Sequence, residues 1–219
     1  MKRYWLVCSG FGWLLLMGSG GQADRGILAP RGQILGPQQL AVEFENQETE
    51  AGAVRYYMAE FGLSDSLEIA TLTRQRPGED PVTMINLQYR HGVVTPLAPS
   101  LCLGLWDVQD QEKQGVERSF YLVTEKMVES ANLPPGHRLI EYFGYGTKML
   151  NGFFSGLIYQ IGDTLEVVIE DNPLTNFTLQ GRYRLGEHFQ LRAGLFDGDF
   201  TFGVRFTTGL GRTKGRRRR

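Results

Sequence analysis

From about Gln38 to Thr207 the chain runs as short segments of alternating apolar and polar residues, divided by turn residues. No apolar period of 3.6 persists long enough for a helix of ordinary length, so the pattern predicts strand after strand. About twelve segments are expected: 38–44, 53–61, 67–74, 82–91, 100–107, 118–127, 137–146, 152–160, 164–171, 175–185, 188–196 and 199–207. Alternation is sharpest near the end. Phe177, Leu179, Tyr183 and Leu185 share one face, opposite Thr178, Gln180, Arg182 and Arg184; Phe200, Phe202, Val204 and Phe206 oppose Thr201, Gly203, Arg205 and Thr207. Successive side chains of a strand point to opposite sheet faces, so each of these strands has one oily face and one charged face.

The connections carry specific turn chemistry. Asp197-Gly198 between two alternating strands is a hairpin signal, because a type I′ turn needs positive φ at both central residues. Ile161-Gly162-Asp163, Asp171-Asn172-Pro173 and Gly186-Glu187 punctuate the neighbouring strands in the same way. Consecutive hairpins imply an all-β, antiparallel up-and-down meander. About twelve strands closed on themselves enclose more space than one apolar side chain per inward position fills readily, since barrel diameter grows with strand number. The expected fold is therefore a transmembrane β-barrel of about 12 strands, its apolar face turned to lipid and its Arg and Glu face lining a hydrated lumen. The alternative is a soluble β-sandwich or barrel with the oily face inside. Tyr56, Tyr89, Trp106, Phe143, Tyr159, Phe189 and Phe200 are candidates for aromatic girdles at the membrane interfaces.

Composition narrows the class. Hydrophobic residues make up 42% of the 219, and 28 are glycine without a collagen-like period, which suits many turns and strands where rings need room. Lys2 and Arg3 precede an apolar run, residues 4–17, followed by Gly18-Ser19-Gly20-Gly21-Gln22-Ala23. The run is too short for a membrane-spanning helix and reads as a signal peptide over 1–23. A lead-in (24–37), a barrel domain (38–208) and a basic tail (209–219) follow. The tail holds Arg212, Lys214 and Arg216 to Arg219, so the body is acidic although the formal net charge is only −1. That profile argues against nucleic acid as a partner. With Cys8 inside the leader, Cys102 has no partner for a disulfide.

Gly144-Tyr145-Gly146-Thr147, Asn151-Gly152-Phe153-Phe154-Ser155-Gly156-Leu157 and Leu165 to Asp171 precede Asn176-Phe177-Thr178-Leu179-Gln180-Gly181-Arg182-Tyr183-Arg184-Leu185. With Gly194-Leu195-Phe196-Asp197 and Phe200-Thr201-Phe202-Gly203-Val204, this succession resembles the YjbH-type family of bacterial outer-membrane proteins linked to exopolysaccharide production. The resemblance is clearest over 137–211. It implies an outer-membrane barrel associated with polysaccharide synthesis or export, with membrane lipid, polysaccharide and barrel-assembly or export machinery as partners and no catalytic set to carry over. The terminus departs from the usual pattern, because outer-membrane barrels commonly end on an aromatic residue of the last strand and here thirteen residues follow Phe206.

Chemistry-bearing residues are few. His91, His137 and His188 lack zinc-ligand spacing, so neither a metal nor a cofactor is expected. Gly144-x-Gly146-Thr147-Lys148 lacks the spacing of a phosphate loop and reads as a strand end. No nucleophile or acid–base pair stands out, and no catalytic residue is assigned. The most informative set is Glu166 and Glu170 with Arg182, Arg184, Arg192 and Arg205, expected to share one lumen-facing wall, either as an ion-pair network or as a selectivity or sugar-binding surface.

Overall fold

At the last hairpin Asp197 and Gly198 both have positive φ, 50° and 91°, the conformation that a two-residue type I′ turn demands. Eleven connections of varying length join the alternating segments into a meander. The computed structural model describes residues 34–110, 117–129, 132–173 and 176–210. Its strands are β1 (Gln39–Thr49), β2 (Gly52–Gly62), β3 (Leu67–Gln75), β4 (Val82–His91), β5 (Ser100–Trp106), β6 (Ser119–Val128), β7 (His137–Gly146), β8 (Gly152–Ile161), β9 (Leu165–Asn172), β10 (Asn176–Leu185), β11 (Phe189–Phe196) and β12 (Asp199–Gly209). Each pairs antiparallel with its neighbours, and β1 also pairs with β12, from Gln39↔Gly209 to Gln47↔Thr201. The result is a closed barrel of twelve strands with no free edge. Closure rules out the sandwich. The expected signal peptide, most of the lead-in and nearly all of the basic tail lie outside the described residues.

Burial fixes which face is which. Leu179, Tyr183, Leu185, Phe189, Leu191, Leu195, Phe200 and Phe202 are exposed, whereas Thr178, Gln180, Arg182, Arg192 and Thr201 on the same three strands are buried. The oily face is therefore on the outside, as the alternation and strand number predict. Around the rest of the barrel Tyr57, Tyr89, Leu101, Leu103, Phe120, Leu122, Phe143, Tyr145 and Phe153 continue the apolar exterior. Of the girdle candidates, Tyr89, Phe143, Phe189 and Phe200 point outward, but Tyr56 and Trp106 do not. They have the parity of inward positions and are buried inside.

That difference belongs to a larger one. The wall from β2 to β9 is lined by Val54, Tyr56, Leu72, Met84, Cys102, Trp106, Tyr121, Val123, Ile140, Tyr142, Phe154, Ile158 and Val168, which form one buried cluster. A lumen lined throughout by Arg and Glu is thus not what forms; half of the interior is an apolar core. Space for its rings comes from inward glycines directly across the ladder. Gly104 faces Tyr121 and Gly144 faces Phe154, and a Cβ on either would fall 1.9 Å and 2.2 Å from the facing ring. A 3-10 turn, Lys148–Leu150, follows β7 and buries Leu150 completely at the same end.

Gly144→Ala should therefore overpack this half and lower stability by about 1–3 kcal/mol. Gly181→Ala, whose Cβ would meet only the Ala193 carbonyl at an ordinary 3.7 Å, should be near neutral. Urea unfolding of the two variants in detergent micelles checks the pair, and equal midpoints would refute this account of the glycines.

Candidate functional site

The other half of the interior, from β8 through β12 to β2, is charged. Arg182 and Arg192 are direct cross-strand partners, buried to 5% and 6% exposure. Like charges so placed repel, and without anions nearby the pair would disfavour folding. Glu43 on β1 supplies one. Its Oε1 accepts a hydrogen bond from Arg192 Nη1, and its Oε2 accepts one from Arg205 Nη1 at 3.1 Å. Arg205 Nη2 in turn donates to Glu60 on β2. One carboxylate thus joins β11, β12 and β1, and the second guanidinium carries the link to β2.

Arg182 is held from the other side. Its Nη1 lies 4.0 Å from Glu166 Oε2 on β9, and its Nε donates to Gln180 Oε1 at 2.6 Å. Gln180 passes the connection on, because its Nε2 donates to Glu45 Oε1 at 2.8 Å, reaching from β10 to β1. On the wall between them Gly194, ladder partner of Gln180, and Gly203, ladder partner of Glu45, carry no side chain. The Cβ of a residue at 194 would fall 2.2 Å from the Leu179 carbonyl. Gln160 Nε2 donates to Glu166 Oε1 at 3.1 Å, and Gln47 joins Asp199 to Tyr56. Two groups of hydrogen bonds and ion pairs, one from Gln160 to Glu45 and one from Arg192 to Glu60, thus meet on β1 and together span seven strands.

The six residues singled out in the sequence divide. Glu166 and Arg182 are ladder partners whose charged atoms lie 4.0 Å apart. Arg192 and Arg205 are interior, and their carboxylates are Glu43 and Glu60 rather than Glu166 or Glu170. Closure explains the change, since it sets β1 beside β12, a neighbour that the hairpins of the C-terminal half do not reveal. Glu170 is 1% exposed and accepts from the Tyr142 hydroxyl and from Asn172 Nδ2, on the border with the apolar half. Arg184 has the inward parity of Arg182 but lies one step nearer the rim and is exposed. Arg138, second residue of β7, is exposed at the same end. That end also carries both ends of the barrel sheet, Gln39 and Gly209, so we call it the terminal mouth.

The parts of the site missed by sequence reasoning are Glu43, Glu45 and Glu60. Glu43 alternates with apolar Val42 and Phe44 and was visible as an inward acid; Glu45 lies in the polar run Glu45-Asn46-Gln47-Glu48-Thr49, where both strand faces are polar and the alternation vanishes. Among the described residues no group of three or more His, Cys, Asp and Glu is placed to hold a metal ion.

Glu43→Gln leaves two buried guanidinium groups without their shared anion, and should cost about 3–5 kcal/mol. Arg184→Ala at the rim should stay within roughly 0.5 kcal/mol. Denaturant midpoints in micelles measure both, and equal, small losses would show that the network contributes little.

No protein-family model matches this chain, and no curated protein does. Among solved structures the chain is similar to the KdgM porin in complex with disordered oligogalacturonate. The TM-score is 0.48 at 11% identity, over 77% of this chain and 98% of that one. It is also similar to the N-terminal β-barrel domain of Pseudomonas aeruginosa OprF, with TM-score 0.28 and 12% identity over 80% of this chain and 100% of that one.

Proposed function

We propose that this protein is a non-enzymatic, porin-like β-barrel of the bacterial outer membrane that contributes to the production or export of cell-envelope polysaccharide. The observation that carries the membrane reading is the inverted arrangement of the wall: exposed Leu, Phe and Tyr outside, buried Arg, Glu and Gln inside. In water such an exterior would present a continuous apolar surface far beyond the few hundred Å² usual for a soluble monomer. In a bilayer it is the favourable one, and the closed ladder leaves no strand edge unsatisfied in hydrocarbon. Strands of 7 to 11 residues suit a tilted crossing.

The polysaccharide role follows from the YjbH-type resemblance and is supported by the chemistry of the terminal mouth. Buried arginines are committed to carboxylates inside the wall, so they act as framework. The cations placed to meet an acidic sugar polymer are Arg138 and Arg184, exposed at the rim with inward parity. Guanidinium groups there would attract carboxylate-bearing sugars electrostatically and pair with them in bidentate fashion.

Two measurements test the reading. Extraction of the native protein should require detergent, and its gel band should shift on heating; recovery in a soluble fraction would defeat the membrane assignment. Arg138→Ala combined with Arg184→Ala should lower export of an acidic polysaccharide roughly threefold or more while leaving the heat-modifiable band intact, as expected of rim charges. Unchanged export would remove the polysaccharide role and leave the barrel.

A further inference from the structure

The segment just before β1 lies at the terminal mouth. Before β1 the backbone reverses at Gln38, whose φ of 60° is unusual for a residue with a side chain. Hydrogen bonds hold this turn in place. Gln38 N donates to the Gly62 carbonyl at 2.8 Å, Leu210 N to the Gln38 carbonyl at 2.7 Å, Gln39 N to the Gly36 carbonyl at 3.1 Å, and Gly36 N to Gln39 Oε1 at 2.9 Å. The reversal directs Gly36, Leu35 and Ile34 along the inner wall instead of away from the barrel.

Two observations place them there. Gly62 ends β2 with the parity of Tyr56, Met58 and Glu60, so it faces inward, and it is buried. A Cβ on it would fall 2.0 Å from the Gly36 carbonyl oxygen and 2.8 Å from that of Leu35; the space of its missing side chain is filled by the lead-in backbone. One strand further on, Glu68 is the ladder partner of Gly62, faces inward and is 7% exposed. Its Oε2 accepts a hydrogen bond from Leu35 N at 2.6 Å. From Gly36 to Leu35 the chain therefore crosses from β2 to β3, along the row Gly62–Glu68, at the level of the terminal mouth.

We propose that Ile34 to Gly36 form a built-in strap that narrows the terminal mouth of the lumen, held by the Glu68 carboxylate and admitted by the bare Cα of Gly62. The strap is stabilised by contacts that the barrel itself does not need. Ile34 and Leu35 are both half-buried, at the end of the barrel that also carries the exposed Arg138 and Arg184. Loss of one carboxylate hydrogen bond, or addition of one methyl group, is then enough to release it, because neither change touches a strand-to-strand hydrogen bond. A released strap widens the mouth for the same solutes that the rim arginines attract.

This rests on the membrane-barrel reading, and the test separates the two. Leu35→Cys keeps the backbone N–H and puts a thiol on the strap, with the full chain bearing only its native cysteines as background. In purified protein in micelles that thiol should react slowly with a water-soluble maleimide. Gly62→Ala or Glu68→Ala, which removes the acceptor of Leu35 N, should each speed the reaction at least tenfold and at least double ion conductance in planar lipid bilayers, whereas Gly181→Ala should change neither. If Gly62→Ala fails to assemble, Glu68→Ala alone decides. Equal labelling rates with and without the second substitution would overturn the strap, and faster labelling at constant conductance would overturn its role as a constriction. A parent chain that neither shifts on heating nor enters the bilayer would instead reject the membrane barrel.

Discussion

The structure depends on how buried arginines are neutralised. Arg182 and Arg192 face each other across β10 and β11, and Arg205 follows on β12, all on the interior side of the wall. No carboxylate on those three strands meets Arg192 or Arg205; the acids that do, Glu43 and Glu60, lie on β1 and β2 at the other end of the sequence. Pairing β1 with β12 is therefore both the step that removes the sheet edges and the step that brings anions to the cations. Edge satisfaction and charge neutralisation favour the same closed state, which is the kind of agreement between levels that gives a sequence one native arrangement.

The two halves of the interior solve the filling problem differently. From β2 to β9 rings and aliphatic chains pack together, accommodated by glycines opposite the largest of them. From β8 round to β2 long polar side chains span the wall, and three of the carboxylates are used twice. Glu43 serves two arginines, Glu166 serves Arg182 and Gln160, and Glu170 serves Tyr142 and Asn172. Buried polar groups arranged in a fully satisfied network stiffen a structure, whereas partly satisfied ones weaken it. The arginines of inward parity that stay exposed, Arg138 and Arg184, are at the mouth.

Much of this was legible in the sequence because the barrel obeys a strict period of two. The bounds expected for β4 and β7 coincide with those observed, and the outward faces of β10, β11 and β12 are the ones the alternation marks. β1 was expected to end at Phe44 and runs to Thr49, because Asn46 and Glu48 make its outer face as polar as its inner one. The apolar half of the interior was hidden for the opposite reason. In β5 both Leu101 and Leu103 outside and Cys102 and Trp106 inside are apolar, so period two carries no contrast there. Tyr56 and Trp106 were placed in a girdle on residue type, whereas their parity puts them inside. The partners of Arg192 and Arg205 depend on closure, a non-local fact that strand patterns do not contain.

The central claim is that the oily face of the strands meets lipid and the charged face meets the interior. Spin labels placed one at a time along β12, from Phe200 to Phe206 in protein reconstituted in lipid vesicles, address it most directly through collision with oxygen, which concentrates in hydrocarbon, and with a water-soluble nickel chelate. Phe200, Phe202, Val204 and Phe206 should show high oxygen and low nickel accessibility, with the reverse order or shielding from both at Thr201, Gly203 and Arg205. High nickel accessibility at the four apolar positions would contradict the account, because it would put the exposed aromatic face in water.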